Sequence, residues 1–302
     1  MSRVATVPLQ RTMAQAISTA QEKLAITQQQ LSTGKKASDF ASLGTEAVRN
    51  LSAHSLLEQQ KAQSAVASRV GTTMSLYQGH IEGIEKSATD LRQQIMTAIG
   101  TGQSSGLQEA IASSFDQVRA SLNASEGGVP LFAGSQTDQQ PFSVTSLADA
   151  ATTTAADAFH DDNKLASARV GDGVDVTYGI NASSIGKNLY EAFRTLAQAG
   201  PIGTTITAAQ KTALQQAVSQ LNGGLNDVST VNADNGRKQN QVEDLTQRGQ
   251  DRSLLLQKVI EDNEDADLGQ VALDLSQQQT VLQASYSVFS QLSGLSLVKY
   301  LS

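Results

Sequence analysis

From Leu268 to Leu292 the chain steps alternately by three and four residues through Leu268, Val271, Leu275, Gln278, Leu282, Ser285, Phe289 and Leu292. A repeat of about 3.5 residues predicts the seam of a coiled-coil helix. Between Leu275 and Val298 there is no Asp, Glu, Lys or Arg, and the off-seam positions hold Gln, Ser, Thr and Ala. A helix with a wet face normally carries charges on it, because charged heads are easily left in water. The carboxyl-terminal stretch is therefore expected to be buried on most sides, among other helices in an assembly. Val281, Val288 and Leu295 widen its stripe beyond a two-helix seam, which suits contact with more than one partner.

The amino end repeats the pattern. Met13, Ile17, Ala20, Leu24, Thr27 and Leu31 step by four and three, with only Arg11, Glu22 and Lys23 as charges. That helix is expected to begin after a short irregular start ending near Pro8 and to stop at Gly34. One narrow seam cannot bury itself, so the two ends are expected to pair. Met13, Ile17, Leu24 and Leu31 would then pack against Leu268, Val271, Leu275, Leu282, Phe289 and Leu292, of the same and neighbouring copies.

Between the ends, Val70, Thr73, Tyr77, Ile81, Ile84, Ala88, Leu91, Ile95 and Ala98 mark one helix. Gly100 to Gly106 reads as a loop. Leu107, Ile111, Val118 and Leu122 mark another helix, expected to end at Gly127 and Gly128 with Pro130 beyond. Val129–Ser135 and Pro141–Val144 read as short extended pieces, and 148–158 carries no assignable pattern. Ala168–Tyr178 predicts a hairpin turning at Gly171-Asp172-Gly173. Helices resume with Ile185, Leu189, Phe193 and Leu196 on one face. Thr207 and Gln210 predict a capping box for a long helix striped by Leu214, Val218, Leu221, Leu225 and Val228. Its stripe turns polar at Asn232 and Asn235, and Leu256 and Ile260 restore it. The order is helices, a β insertion, then helices, with the ends returning together.

The 302 residues are 39% hydrophobic but only 4% aromatic, with no Trp, which favours long, thinly cored helices and an elongated protein. Net charge is −7 without a basic run, so nucleic acid is not an expected partner. Cysteine is absent, which removes disulfides and thiolate metal sites. Residues 1–10 hold no apolar core of a Sec signal, and no run of about 18 apolar residues predicts a membrane span.

Candidate chemistry is thin. Glu261, Asp262, Glu264, Asp265 and Asp267 crowd together, but an EF-hand needs Gly at its sixth position and no register supplies it. Helix-start acids, favoured by the dipole, are the expected reading. His160-Asp161-Asp162 lacks a second histidine at metal-binding spacing, since His54 and His80 are read as lying on separate helical segments. There is no G-x-S-x-G elbow, and the glycines at 100–106 lack the Lys-Ser/Thr of a phosphate loop. No catalytic, cofactor or metal site is expected, and the chain is not expected to be an enzyme.

Three stretches carry a family resemblance. The amino-terminal seam running into Gln28-Gln-Gln-Leu-Ser-Thr-Gly-Lys-Lys36 resembles the start of flagellin-superfamily proteins. Leu131-Phe-Ala-Gly-Ser-Gln-Thr-Asp-Gln-Gln-Pro-Phe142 resembles a segment of the hook-associated members of that superfamily, as does the close from Leu282-Gln-Ala-Ser285 through Leu295-Ser-Leu297 to Tyr300-Leu301. Ser38-Asp39-Phe40-Ala41 departs from the paired-acid, proline-containing element usual there, and Val176–Ala182 is similar to segments of some flagellins.

The resemblance implies a mainly α, elongated, flagellin-like helical rod. Residues 1–40 and 262–302 would form a terminal coiled-coil inner domain, 41–135 and 186–261 the rod, and 136–185 a variable β-rich outer domain. It implies a structural role at the hook–filament junction of the bacterial flagellum, reached by export through the flagellar type III channel. Implied partners are other copies in a helical or ring-like assembly, neighbouring hook-associated and filament proteins, and a cytoplasmic export chaperone on the carboxyl-terminal helix. A minor flagellin is the competing reading, with a coiled-coil surface adhesin and a cytosolic coiled-coil scaffold behind it.

Overall fold

The computed structural model describes residues 3–298, with the side chains of 3–7, 10 and 292–298 outside the description. The described residues form a mainly α fold with two small antiparallel sheets. The chain divides into two compact units, Met1–Gln59 with Arg252–Ser302, and Gln60–Asp251. Two long helices, α2 (Ala47–Thr101) and α7 (Ala208–Glu264), contribute to both.

In the first unit α1 (Arg3–Thr33) packs along α8 (Leu268–Val298). The helix does not wait for Pro8: it starts at Arg3 and runs through the proline. Proline removes one intrahelical bond, but here only about one turn of ladder lies upstream to be disturbed. Thr12 returns a side-chain bond to the Pro8 carbonyl at 3.0 Å. Gly34, at φ +71°, ends the helix and donates its amide to the Gln30 carbonyl at 2.8 Å. A 3-10 turn (Ala41–Glu46) then leads into α2, with Asp39 accepting from the Ser42 amide at 2.8 Å. The start of α2 and the end of α7 pack as a two-helix stem around Ala53, Leu57 and Ile260, flanked by Leu256 and Val259.

The second unit holds the main core. Tyr77, Ile81, Ile84, Leu91 and Ile95 of α2 are buried against α3 (Leu107–Leu122), α6 (Ala182–Gln198) and α7. The scarce aromatics concentrate here: Phe115 stands edge-on to Phe142 and Phe193, and Tyr190 edge-on to Phe142 and Phe159. This core is thicker than the low aromatic content suggests, because the few rings gather in one place. The predicted capping box is present: the Gln210 amide donates to Thr207 Oγ1 at 3.2 Å and the Thr207 amide to Gln210 Oε1 at 3.1 Å.

One local expectation changes, one unassigned stretch takes shape and one predicted hairpin is present. The third helix stops at Leu122, before the two glycines, and Gly127-Gly128 instead turn a short hairpin between β1 (Ser125–Glu126) and β2 (Val129–Pro130). The Asn123 carboxamide takes over at the helix end, exchanging two hydrogen bonds with the Phe142 backbone at 2.8 and 3.0 Å. The stretch without a readable pattern forms two single-turn helices, α4 (Leu147–Ala150) and α5 (Ala155–Ala158). Each is started by a side-chain cap, Ser146 for one and Thr154 for the other. The predicted hairpin is β3 (Ala166–Gly171) with β4 (Val174–Tyr178), turning at Asp172-Gly173. Val170 and Val176 bury its inner face against Ala67, Val70, Met74 and Val242.

Candidate assembly interface

The seam of α8 meets α1 in antiparallel order: Gln21 donates to the Tyr286 hydroxyl at 2.6 Å, and Thr27 to Gln278 Oε1 at 3.1 Å. Val271 is buried, and Leu275, Gln278, Leu282, Ser285 and Phe289 are half-buried, as are Met13, Ile17, Ala20 and Leu24 on α1. The polar seam positions are satisfied locally. Thr27 and Gln278 bond across the pair, and Ser285 bonds back to its own helix at the Val281 carbonyl, 2.8 Å away.

Met13, Ile17 and Leu24 on α1 and Val271, Leu275, Leu282 and Phe289 on α8 are the expected positions that the pair covers at least in part. The structure leaves Leu31 and Leu268 exposed at the end of the pair where both helices give way to linking segments. Val281 and Val288 lie beside the seam and are 50% and 41% exposed, because one partner helix covers only one stripe. The side chains of Leu292 and Leu295 lie outside the described residues. Leu273 adds a further exposed apolar side chain on α8, and Ile26 one on α1.

Apolar exposure continues onto the stem, where Val48, Leu51, Leu254 and Leu255 face solvent. Sequence reasoning passed over these. Leu254-Leu255-Leu256 held the signal, since three consecutive residues of a helix span about 200° and cannot share one buried face.

The acidic run splits between two helix ends. Asp267 caps α8, its Oδ1 accepting from the Gly269 amide at 2.9 Å and the Gln270 amide at 3.2 Å. Glu261, Asp262 and Glu264 instead close α7, so the helix-start reading fails for them. Their charge opposes the dipole there, and bases from elsewhere compensate. The Glu264 carboxylate accepts from Asn50 Nδ2 and His54 Nε2, both at 2.6 Å, and from Lys35 Nζ at 3.2 Å. Burial pushes its pKa up, but the bonds from His54, Asn50 and Lys35 outweigh burial and hold it at about 2. Lys35 is shifted upward, chiefly by its bond to Asp265 at 2.6 Å.

His54 and His80 stand on the same helix, α2, not on separate segments: the periodicity of 70–98 extends back to Ala47 without a break. His54 is spoken for by Glu264, and His80 lies edge-on to Phe132. Asp161 accepts from the Ser183 amide at 3.1 Å at the start of α6, and Asp162 from the Ser135 amide at 2.8 Å. Both acids beside His160 are thus structural. Among the described residues no group of three metal-competent side chains gathers, and no helix is long and apolar enough to cross a membrane.

The mainly α arrangement with its small antiparallel hairpins is a flagellar hook-associated fold, matched over about seven-tenths of the chain. A flagellar hook-associated protein of Vibrio parahaemolyticus has it, with TM-score 0.62 and 17% identity over 72% of this chain and 97% of that one. So do FlgL of Bacillus cereus (TM-score 0.56, 16% identity, 70% and 99% covered) and hook-associated protein 3 of Legionella pneumophila (0.56, 10%, 70% and 97%). In sequence, the chain is similar to flagellar hook-associated protein 3 of Escherichia coli strain K12, 39% identical over 85 residues, which are 28% of this chain. The match spans 27%, about a quarter, of that curated relative's length. No family model matches the chain. The resemblance to hook-associated proteins is thus met in sequence over 85 residues and in fold.

Proposed function

We propose that this chain is a structural protein of the bacterial flagellum that joins the hook to the filament and assembles with copies of itself through its terminal helices. The observation that carries the reading is the half-covered terminal pair. Its seam is closed by α1, while Val281, Val288 and Leu273 stay exposed on a helix without charges from Leu275 to Val298. Such a helix is poorly suited to water and well suited to packing among copies of itself. The likeness to hook-associated protein 3 supports the junction rather than a position along the filament.

In this reading residues 1–40 and 262–302 line the tube, 41–135 and 186–261 form the rod outside it, and 136–185 lies outermost. Met13, Ile17, Leu24, Leu31, Leu268, Val271, Leu275, Val281, Leu282, Val288, Phe289, Leu292 and Leu295 make the contacts within and between copies. The exposed stem residues Val48, Leu51, Leu254 and Leu255 add to them. The chain leaves the cytoplasm through the flagellar type III channel, with its carboxyl-terminal helix held by an export chaperone beforehand. Neighbouring hook-associated and filament proteins contact it in the finished flagellum, and it carries out no catalysis.

Fluorescent labelling of the tagged protein in motile cells tests the position. A single spot at the distal end of the hook is expected, whereas label along the filament would make it a filament subunit instead. Leu282→Asp, on the seam, is expected to abolish incorporation while residues 60–251 keep their melting transition. Normal filaments growing on that variant would overturn assembly through the terminal helices.

A further inference from the structure

The two passes of the chain that connect the terminal pair to the stem leave helical structure at the same level: Gly34 to Phe40 on one side and Asp265 to Asp267 on the other. They lie antiparallel and share two backbone bonds, the Lys36 amide on the Glu264 carbonyl at 2.6 Å and the Ala266 amide on the Gly34 carbonyl at 2.8 Å. No apolar side chain is buried from Gly34 to Leu51, and none between Ile260 and Val271. The hydrophobic packing that holds the stem stops below this level, and the seam resumes above it. Mainly polar contacts bridge the interval, with the Phe40 ring against His54 beside them.

Those contacts converge on one carboxylate. Glu264, the last residue of α7, receives Lys35 from the amino-terminal link and Asn50 and His54 from α2. Asn50 is fully buried where it meets the partly exposed Glu264, and Phe40 stands edge-on to the His54 ring, 5.7 Å between centroids. Lys35 reaches on to Asp265, and the Lys36 ammonium donates to the Asp262 carbonyl. A joint with no apolar core opens at a cost set by its few polar ties, and it is the kind of place where hinges occur.

We infer that this joint is a hinge and that Glu264 is its latch. With Lys35, Asn50 and His54 engaged, the α1–α8 pair keeps one direction relative to the stem. With the carboxylate disengaged, the two backbone bonds, the Lys35–Asp265 pair and the Lys36 tie to the Asp262 carbonyl remain, and the pair reorients more freely while both helical parts stay folded. The hinge itself holds whatever the pair binds. That such freedom lets a junction protein fit two differently built tubes rests on the function proposed above.

Lys35 and Lys36 make the joint its own reporter, because trypsin cuts after them only when the link opens. On the full-length purified chain, Glu264→Gln is expected to raise cleavage there about tenfold or more, the effect of losing charge-assisted bonds in a locally opening segment. Cleavage within 60–251 should not change, and Glu261→Gln, an acid of the same helical turn outside the latch, should cut at the wild-type rate. Amide exchange at Lys36 and Ala266 should accelerate in parallel. Equal rates for wild type and Glu264→Gln overturn the latch. Equal acceleration by Glu261→Gln overturns it in favour of general charge at the helix end. Faster cutting throughout the chain overturns the local hinge. None of these readouts depends on where the protein sits in the cell, so the hinge and the proposed function fail separately.

Discussion

Gly224 of α7 lies so close to Leu189 of α6 that a β-carbon on it would come within 2.6 Å of Leu189 Cγ and 2.9 Å of the Leu189 backbone nitrogen. Backbone meets backbone there, so a side chain cannot be accommodated by turning a rotamer. Its neighbour Gly223 faces nothing nearer than Asn188 Nδ2, at 4.0 Å. Two adjacent glycines in one helix therefore have opposite roles. Gly224→Ala is expected to destabilise the second unit by about 1–3 kcal/mol through overpacking. Gly223→Ala should stabilise it by about 0.5–1 kcal/mol, since alanine is the better helix former. Urea unfolding of both variants decides, and a neutral Gly224→Ala would mean the helices separate freely.

Asn235 explains why the stripe of α7 turns polar. The side chain is buried and its Nδ2 donates to the Met74 carbonyl of α2 at 3.0 Å, pinning the two long helices where Val228 gives out. Asn235→Ala removes the donor and is expected to cost about 1–2 kcal/mol. Asn235→Asp sets a carboxylate against a carbonyl oxygen and should cost more. Thermal melting ranks the pair, and an aspartate variant more stable than the alanine variant would contradict the bond.

What could be read in advance follows from what each element depends on. The α8 seam and the face of α6 were legible because a stripe repeated over several turns is a property of the segment itself. The capping box at Thr207 was legible because both partners lie within one turn. Pro8 misled because a helix-breaking residue near a free end disturbs little. Gly127-Gly128 read equally as a helix stop or a turn, and only the pairing of Glu126 with Val129 separates the two. The helices α4 and α5 are too short for any stripe and exist through Ser146 and Thr154. Least legible was the acidic run, whose meaning is set by Lys35, Asn50 and His54, more than 200 residues away in sequence.

Tyr77 donates its hydroxyl to the Leu131 carbonyl at 2.9 Å within the core of the second unit, and burial pushes its pKa up to about 12. Ultraviolet titration of the folded chain should show a tyrosine step near pH 12, beside an upward-shifted Tyr190 that burial also raises, and Tyr77→Phe should remove the step near pH 12. Because the folded value is raised, the stability tied to it is fully present below the ordinary tyrosine value of 10.0 and is lost as pH rises toward 12. A step near pH 12 that survives in Tyr77→Phe would assign it to another ring.

The joint at Glu264 should carry its own acid dependence. Burial alone would raise the carboxyl, but the bonds from His54, Asn50 and Lys35 bring it from the ordinary 4.5 down to about 2. A depressed folded-state pKa means the contribution is fully present above the unfolded value and disappears as pH falls through the folded one. Exchange at the Lys36 and Ala266 amides, whose bonds cross the joint, should therefore show protection that is constant above pH 4.5 and fades toward pH 2. A local probe is needed, because Asp162, held at about 2 by its bonds from Ser135, titrates in the same window within the other unit. Glu264→Gln should show weak protection at these two amides throughout, without the acid step. If the variant keeps the step unchanged, the carboxylate that closes the joint is a different one.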